Sequence, residues 1–222
     1  LGRLVRYVRA TIHLPLIVRT DGTGNMVWSI DASFAVHMDM KSHTGYSMTM
    51  GTGCPISGSS SQKINTRSST EAELVGVDDT IAFVEWASLY SKDQVKEYPK
   101  DHALKEMGTN TIVEQDNTST IKLVKGGKRV CGQRTRNILI RYFYAHERVD
   151  DGTIMVVYKP TKEITSDYLS KPLQRSLFRT HRNALMGLTP ALEATYLLSY
   201  AKDKAVRVQL AIDYYSNYGK NA

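Results

Sequence analysis

The spacing between apolar residues changes several times along the chain, and each change indicates the start of a new helix or strand. Apolar residues recur at helical spacing over residues 1–12, which predicts a helix that ends before Pro15. Two apolar runs then flank the turn-forming stretch TDGTGN at residues 20–25. Such a pattern predicts a β-hairpin whose second strand is the first long strand of the protein.

The later pattern alternates between strands and helices. It predicts strands over 45–51, 54–63, 111–117 and 153–160, and helices over 68–92, 118–127, 135–152 and 162–187, the last interrupted near Pro172. The order is three strands, a helix, a strand, two helices, a strand and a helix. Antiparallel strands followed by β-α-β units predict an α/β fold with a mixed sheet and helices on both faces.

Composition narrows the class of protein. The chain has 222 residues, of which 41% are hydrophobic, enough for one sizeable α/β domain with extensions or for two small domains. A net charge of +7 favours a polyanionic partner such as nucleic acid, although many proteins carry such a surplus without one. Two distant cysteines indicate neither a disulfide framework nor a zinc site. Residue 1 is not Met, so we expect a piece of a longer polypeptide.

Acidic residues stand where predicted elements begin or end. Asp31 lies inside the first long strand, Asp116 ends the strand TIVEQD, and Asp167 follows the strand TIMVVYKP. A carboxylate within an apolar strand is costly unless it is paired or bound to metal. Carboxylates gathered at one sheet end form the oxygen-rich ligand set that Mg²⁺ prefers, and His and Cys are absent, which disfavours zinc. Two such ions roughly 4 Å apart would support hydrolysis of a phosphodiester.

A fourth acid comes from TEAE at the start of the long helix. Glu73 lies about 60° from the centre of the apolar stripe of this helix, and Glu71 lies about 100° from it. Glu73 therefore borders the face that packs on the sheet. Ser68 and Glu71 fit the capping-box pattern, and Asp78 and Asp79 are interpreted as a solvated flank.

Four stretches resemble, in order and spacing, the ribonuclease H domain of copia-type LTR retrotransposon Pol polyproteins. They read DASFAVHMDMKSHTGYSMTMG, SSSQKINTRSSTEAEL, VEQDNTSTIKL and RTRNILIRYFYAHERVDDGTIMVVYKPTKEITSDYLSKPLQ. The opening LVRYVRATIHLPL resembles the connector that follows reverse transcriptase. The chain departs from the family at Asn137, which stands where histidine is usual, and at Gly58, where an aromatic residue often stands.

This resemblance implies a ribonuclease H-like fold, a five-stranded mixed sheet flanked by helices. It also implies hydrolysis of the RNA strand of RNA–DNA hybrids with two Mg²⁺ ions, for which Mn²⁺ can substitute. The metal-binding acids it implies are Asp31, Glu73, Asp116 and Asp167. Asn117 and Ser119 would orient the site or cap the next helix, and both are candidate nucleic-acid contacts. The expected organisation is a connector over 1–16, the domain over 17–187 and a helical tail of unknown role over 188–222. The implied partners are the hybrid and reverse transcriptase, in an intracellular location, cytoplasmic or nuclear.

Alternatives remain open at this point. The basic segment GGKRVCGQRTR is either a solvated loop or a surface that contacts phosphates through Lys128, Arg129, Arg134 and Arg136. The chain could also be an inactive nucleic-acid-binding module of a decayed element. A strand-transfer enzyme of integrase type is a third hypothesis, which the glutamate on the long early helix disfavours.

Overall fold

The computed structural model describes residues 1–98, 110–127 and 139–196, and every structural statement below concerns these residues. The strands are β1 (Arg19–Thr20), β2 (Asn25–Ser33), β3 (His43–Thr49), β4 (Gly51–Thr52), β5 (Ile56–Ser61), β6 (Asn110–Gln115) and β7 (Met155–Tyr158). The helices are α1 (Gly2–Thr11), α2 (Ser69–Glu97), α3 (Thr118–Gly126), α4 (Leu139–Asp150), α5 (Asp167–Ser170) and α6 (Arg175–Met186), and residues 190–196 are also helical.

Five strands form one mixed sheet in the order β5-β3-β2-β6-β7. β2 pairs antiparallel with β3, and β3 pairs antiparallel with β5. β6 and β7 join in parallel on the other side of β2. The predicted α/β fold is confirmed, with a five-stranded mixed sheet in which three antiparallel strands are followed by parallel ones.

The predicted hairpin around residues 20–25 is wrong. β1 pairs with β4, with Arg19 opposite Thr52, in a separate two-stranded sheet. The turn itself forms, because the Asp21 side chain accepts hydrogen bonds from the backbone N–H and the hydroxyl of Thr23. Both edges of β2 are occupied by β3 and β6, so no edge of β2 is left for the strand that precedes it.

The main core lies between the sheet and α2, α3 and α4. Alternate side chains of β2, such as Trp28 and Ile30, are buried against apolar residues of α2 such as Leu74 and Ile81. This alternation leaves Ser29 and Asp31 on the other side of the strand. There the Ser29 hydroxyl contacts the Ser166 hydroxyl at 3.0 Å, just before α5.

α5 lies very close to β3 because residue 45 is glycine. A Cβ at Gly45 would lie 2.7 Å from the backbone carbonyl carbon of Leu169 and 2.7 Å from the backbone nitrogen of Ser170. Gly45 is paired directly with Asp31 in the sheet. The missing side chain therefore brings the end of α5 beside the only strand position that carries a buried aspartate among the described residues of the sheet.

The end of α6 forms hydrogen bonds with two segments that lie far from it in the sequence. The Ile17 N–H donates to the Met186 carbonyl at 2.9 Å, and the Cys54 N–H donates to the Leu185 carbonyl at 2.8 Å. Beyond α6, the buried Glu193 accepts hydrogen bonds from Arg182 and from Asn183. Residues 188–196 thus pack on α6, while the predicted boundary at 187 stays a prediction. Of the helices described, none is both long enough and apolar enough to cross a membrane.

Candidate metal centre

Three carboxylates from three separate elements meet at one end of the sheet. Asp31 comes from β2, Glu73 from the first turns of α2, and Asp116 from the residue after β6. One oxygen of each lies within 4.8 Å of the others. Asp31 and Glu73 are buried, and Asp116 is half-buried. Among the described residues, this is the one cluster of three or more acidic, histidine or cysteine side chains that could hold a metal ion. All of its donor atoms are oxygens, which suits Mg²⁺ or Mn²⁺.

Glu73 faces the sheet, as its angular position predicted. Its side chain is 6% exposed, and its Oε2 accepts from the Ala32 N–H at 3.1 Å and from the Gln115 amide at 3.3 Å. Burial, followed by the charges of Asp31 and Asp116, raises the pKa of Glu73 to about 9. A metal-free site at neutral pH therefore holds Glu73 in its protonated form.

The capping roles on α2 are also confirmed. The Glu71 N–H donates to the Ser68 hydroxyl at 3.1 Å, and the Glu71 carboxylate accepts from the Arg67 N–H at 2.6 Å. Asp79 is exposed, as a solvated flank requires, but Asp78 is half-buried. Two glutamates that are two residues apart thus have separate functions, one starting the helix and one facing the sheet.

Asp31 is held by the end of α5. The Ser170 hydroxyl donates to Asp31 Oδ2, and the Lys171 Nζ lies 3.2 Å from the same oxygen. Burial raises the pKa of Asp31, and the charge of Asp167 adds to this, while Ser170 and Lys171 act in the opposite direction. The close approach of α5 at Gly45 makes these contacts sterically possible.

Asp167, the fourth predicted acid, lies outside the three-carboxylate group. It is buried at the start of α5, and its Oδ1 lies 2.5 Å from Lys171 Nζ. Lys171 thus connects Asp167 to Asp31 through a shared ammonium group. The metal-binding role of Asp167 stays a prediction.

Asp116 stands between a strand end and a helix start. Its Oδ2 accepts from the Thr161 hydroxyl at 2.7 Å. Asn117 caps α3, because its side-chain oxygen accepts from the backbone N–H groups of Ser119 and Thr120 at 3.0 and 3.1 Å. The structure therefore supports the capping alternative for Asn117, with Ser119 contributing its backbone.

The predicted nucleic-acid contacts remain predictions. The four basic residues of the segment after α3 lie outside the described residues: Lys128, Arg129, Arg134 and Arg136. Asn117 and Ser119 follow Asp116 closely in the chain, and Asn117 is half-buried while Ser119 is exposed.

Gln115 is a site residue that sequence reasoning missed. It is fully buried, and its Oε1 accepts from the backbone N–H groups of Asp116 and Asn117 at 2.8 and 3.0 Å. Its amide nitrogen donates to Glu73 at 3.3 Å. One glutamine therefore joins two of the three acids, and the signal was a long polar residue at the buried end of an apolar strand.

Lys171 was missed as well. It stands four residues after Asp167, a spacing at which opposite charges on a helix meet. Burial alone would lower the pKa of Lys171, but its hydrogen bond to Asp167 and the charge of Asp31 raise it to about 12. The ammonium group therefore stays charged at neutral pH.

Comparison with known proteins finds similar sequences in the Pol polyproteins of plant transposons. The chain is 29% identical over 192 residues to the "Retrovirus-related Pol polyprotein from transposon RE1" of Arabidopsis thaliana, covering 85% of this chain and 12% of the polyprotein. It is 31% identical over 152 residues to the corresponding polyprotein from transposon TNT 1-94 of Nicotiana tabacum, covering 67% of this chain and 10% of the polyprotein. The chain thus spans about an eighth or less of the length of these relatives. No protein-family model matches it.

Among solved structures, the chain is similar to RNase H1 from the halophilic archaeon Halobacterium salinarum NRC-1. The TM-score is 0.44 at 14% identity, and the match covers 66% of this chain and 95% of that one.

Proposed function

We propose that this chain, a homologue of a segment of the retrovirus-related Pol polyproteins of plant transposons as its sequence predicted, is a ribonuclease H domain that hydrolyses the RNA strand of RNA–DNA hybrids. The observation that carries the proposal is the meeting of Asp31, Glu73 and Asp116, with ligand oxygens within 4.8 Å of one another. Three acids from distant parts of the chain at one sheet end have no structural purpose that a neutral residue would not serve better.

The donor set fits a divalent cation. Asp31, Glu73 and Asp116 would hold it, with Asp167 as a further ligand for a second ion. Such ions, Mg²⁺ or Mn²⁺, would supply activation of water and stabilisation of the departing oxygen of the phosphodiester. No histidine is needed as a general base in this arrangement.

The surrounding residues prepare the site. The Gln115 amide and the Ala32 N–H both donate hydrogen bonds to Oε2 of Glu73, so they fix the direction in which this carboxylate points. Thr161 fixes Asp116, which is the most exposed of the three acids and therefore the one nearest to an approaching phosphate. Asp31 and Glu73 are buried and form the floor of the site.

The partners belong to the same proposal. An RNA–DNA hybrid is the substrate, and the basic segment after α3 would neutralise its phosphates, which makes binding dependent on salt concentration. Reverse transcriptase of the same polyprotein, in an intracellular particle or the nucleus, would supply the hybrid.

A cleavage assay on a labelled hybrid tests the proposal. We expect the 222-residue protein to cut the RNA strand with Mg²⁺ or Mn²⁺ and to be inactive with EDTA. Glu73→Gln and Asp116→Asn should each abolish cleavage with the fold retained, as judged by circular dichroism. Glu71→Gln is the matched control, because it changes a carboxylate on the same helix that only caps it, and it should keep activity. Equal cleavage by Asp116→Asn and the parent would refute the proposal.

A further inference from the structure

Lys171 places a positive charge inside the acidic site. Its Nζ lies 2.5 Å from Asp167 Oδ1, 3.2 Å from Asp31 Oδ2 and 3.4 Å from Asp31 Oδ1. Over the described ranges, the ion pairs found for the four predicted acids come from this one side chain. Lys171 therefore contacts two of the four predicted acids at once.

The position of this ammonium group is built into the fold. Gly45 lets the end of α5 lie against β3, and Asp167 and Lys171 are one helical turn apart. Ser170, the residue before Lys171, also donates to Asp31. The backbone at 170–171 is therefore anchored to the acid that lies nearest to the centre of the sheet.

We infer that Lys171 is a positioning residue that occupies the space between Asp31 and Asp167 and competes there with divalent cations. The inference rests on the proposed function, because it concerns the same acids. In the absence of metal, the ammonium group neutralises Asp31 and keeps Asp167 directed at the site. When an ion binds Asp31, Glu73 and Asp116, the lysine loses part of its interaction with Asp31.

The exposure of Lys171 allows such an exchange. Its side chain is 37% exposed, whereas those of Asp31 and Asp167 are 1% and 9% exposed. The ammonium group can thus move into solvent while both acids stay in place. Removal of a like charge next to an ion site should tighten ion binding, by about tenfold for a partly solvated neighbour.

Direct measurement of Mn²⁺ binding by calorimetry on the whole 222-residue protein tests this inference without using activity. We expect Lys171→Met to bind Mn²⁺ about tenfold more tightly than the parent, and Lys171→Arg to bind it like the parent, because arginine keeps the charge. Lys122→Met, which removes an exposed lysine on α3, controls for net charge and should change little. In EDTA, Lys171→Met should unfold at a lower temperature than the parent, and saturating Mn²⁺ should remove that difference.

The outcomes separate the inference from the proposed function. If neither the parent nor Lys171→Met binds Mn²⁺, both the metal-dependent function and the inference fail. If the parent binds Mn²⁺ and Lys171→Met binds it equally or more weakly, the inference alone fails. Should Lys171→Met not fold, Lys171→Gln keeps a hydrogen-bond donor without the charge, and the same tightening is expected of it.

Discussion

Gly45→Ala tests whether the close packing of α5 on β3 is what assembles the site. Gly45 faces the backbone of α5, and it is the sheet partner of Asp31. A methyl group there would lie 2.7 Å from two backbone atoms, Leu169 C and Ser170 N, and 2.8 Å from Leu169 Cβ. Neither backbone atom can rotate away, so the whole helical turn has to move.

The size of the movement gives the expected cost. Carbon atoms in contact lie about 3.5–4.0 Å apart, so α5 must shift by roughly 1 Å. Such overpacking costs about 1–3 kcal/mol, and the upper part of that range applies because the obstructing atoms are backbone. The shift also carries Ser170 and Lys171 away from Asp31, which removes hydrogen bonds to a buried carboxylate.

Urea denaturation followed by circular dichroism measures this cost. Gly76→Ala is the matched control: its methyl group would lie 3.4 Å from the Thr44 side chain and 3.6 Å from Ala32 Cβ, which is ordinary contact. Alanine in a helix interior gains up to about 1 kcal/mol over glycine, so Gly76→Ala should be neutral or stabilising. If Gly45→Ala were as stable as the parent, α5 would not be packed as the structure shows.

Three further predictions concern buried polar groups. Because the pKa of Glu73 is raised to about 9 in the folded protein, its contribution to stability is present below about pH 4.5 and is lost as the pH rises toward 9. The metal-free protein should therefore lose roughly 1 kcal/mol per pH unit across neutrality, and Glu73→Gln should flatten this slope in urea titrations at several pH values. Gln115→Leu leaves the backbone N–H groups of two residues without an acceptor, so we expect a loss of about 2 kcal/mol in stability and weaker Mn²⁺ binding by calorimetry. Unchanged values of both would show that Gln115 does not join Glu73 to Asp116 in the way its hydrogen bonds indicate. Glu193→Ala leaves Arg182 buried without its carboxylate and should cost about 3 kcal/mol, whereas a negligible change in thermal unfolding would show that residues 188–196 do not belong to the domain.

Periodicity predicted the elements well because each is a local property of the chain. The alternation in β2 singled out Asp31 as a charge among buried positions, and the angle on α2 separated Glu73 from Glu71. The resemblance added that the mixed sheet has five strands. None of these steps required knowledge of distant contacts.

The failures have a common physical origin in contacts between distant residues. The stretch at 20–25 turns as predicted, but the strand before it pairs with β4 because β2 is already paired on both edges. Sequence reasoning missed Lys171 and Gln115 for the same reason. Their partners Asp31 and Glu73 lie 140 and 42 residues away in the chain, and no local pattern indicates such separations.

The hydrogen bond from Ile17 to Met186 has a consequence for how such a domain can sit in a long polypeptide. The chain enters and leaves the sheet region at one place, where Gly53 and Gly187 lie close around the Ile17 carbonyl. Segments on either side therefore attach at a common anchor, which lies outside the five strands of the main sheet. Movement of the neighbouring segments would act at this single junction and leave the register of the five strands unchanged. The domain can therefore keep its structure as a unit within a much larger protein.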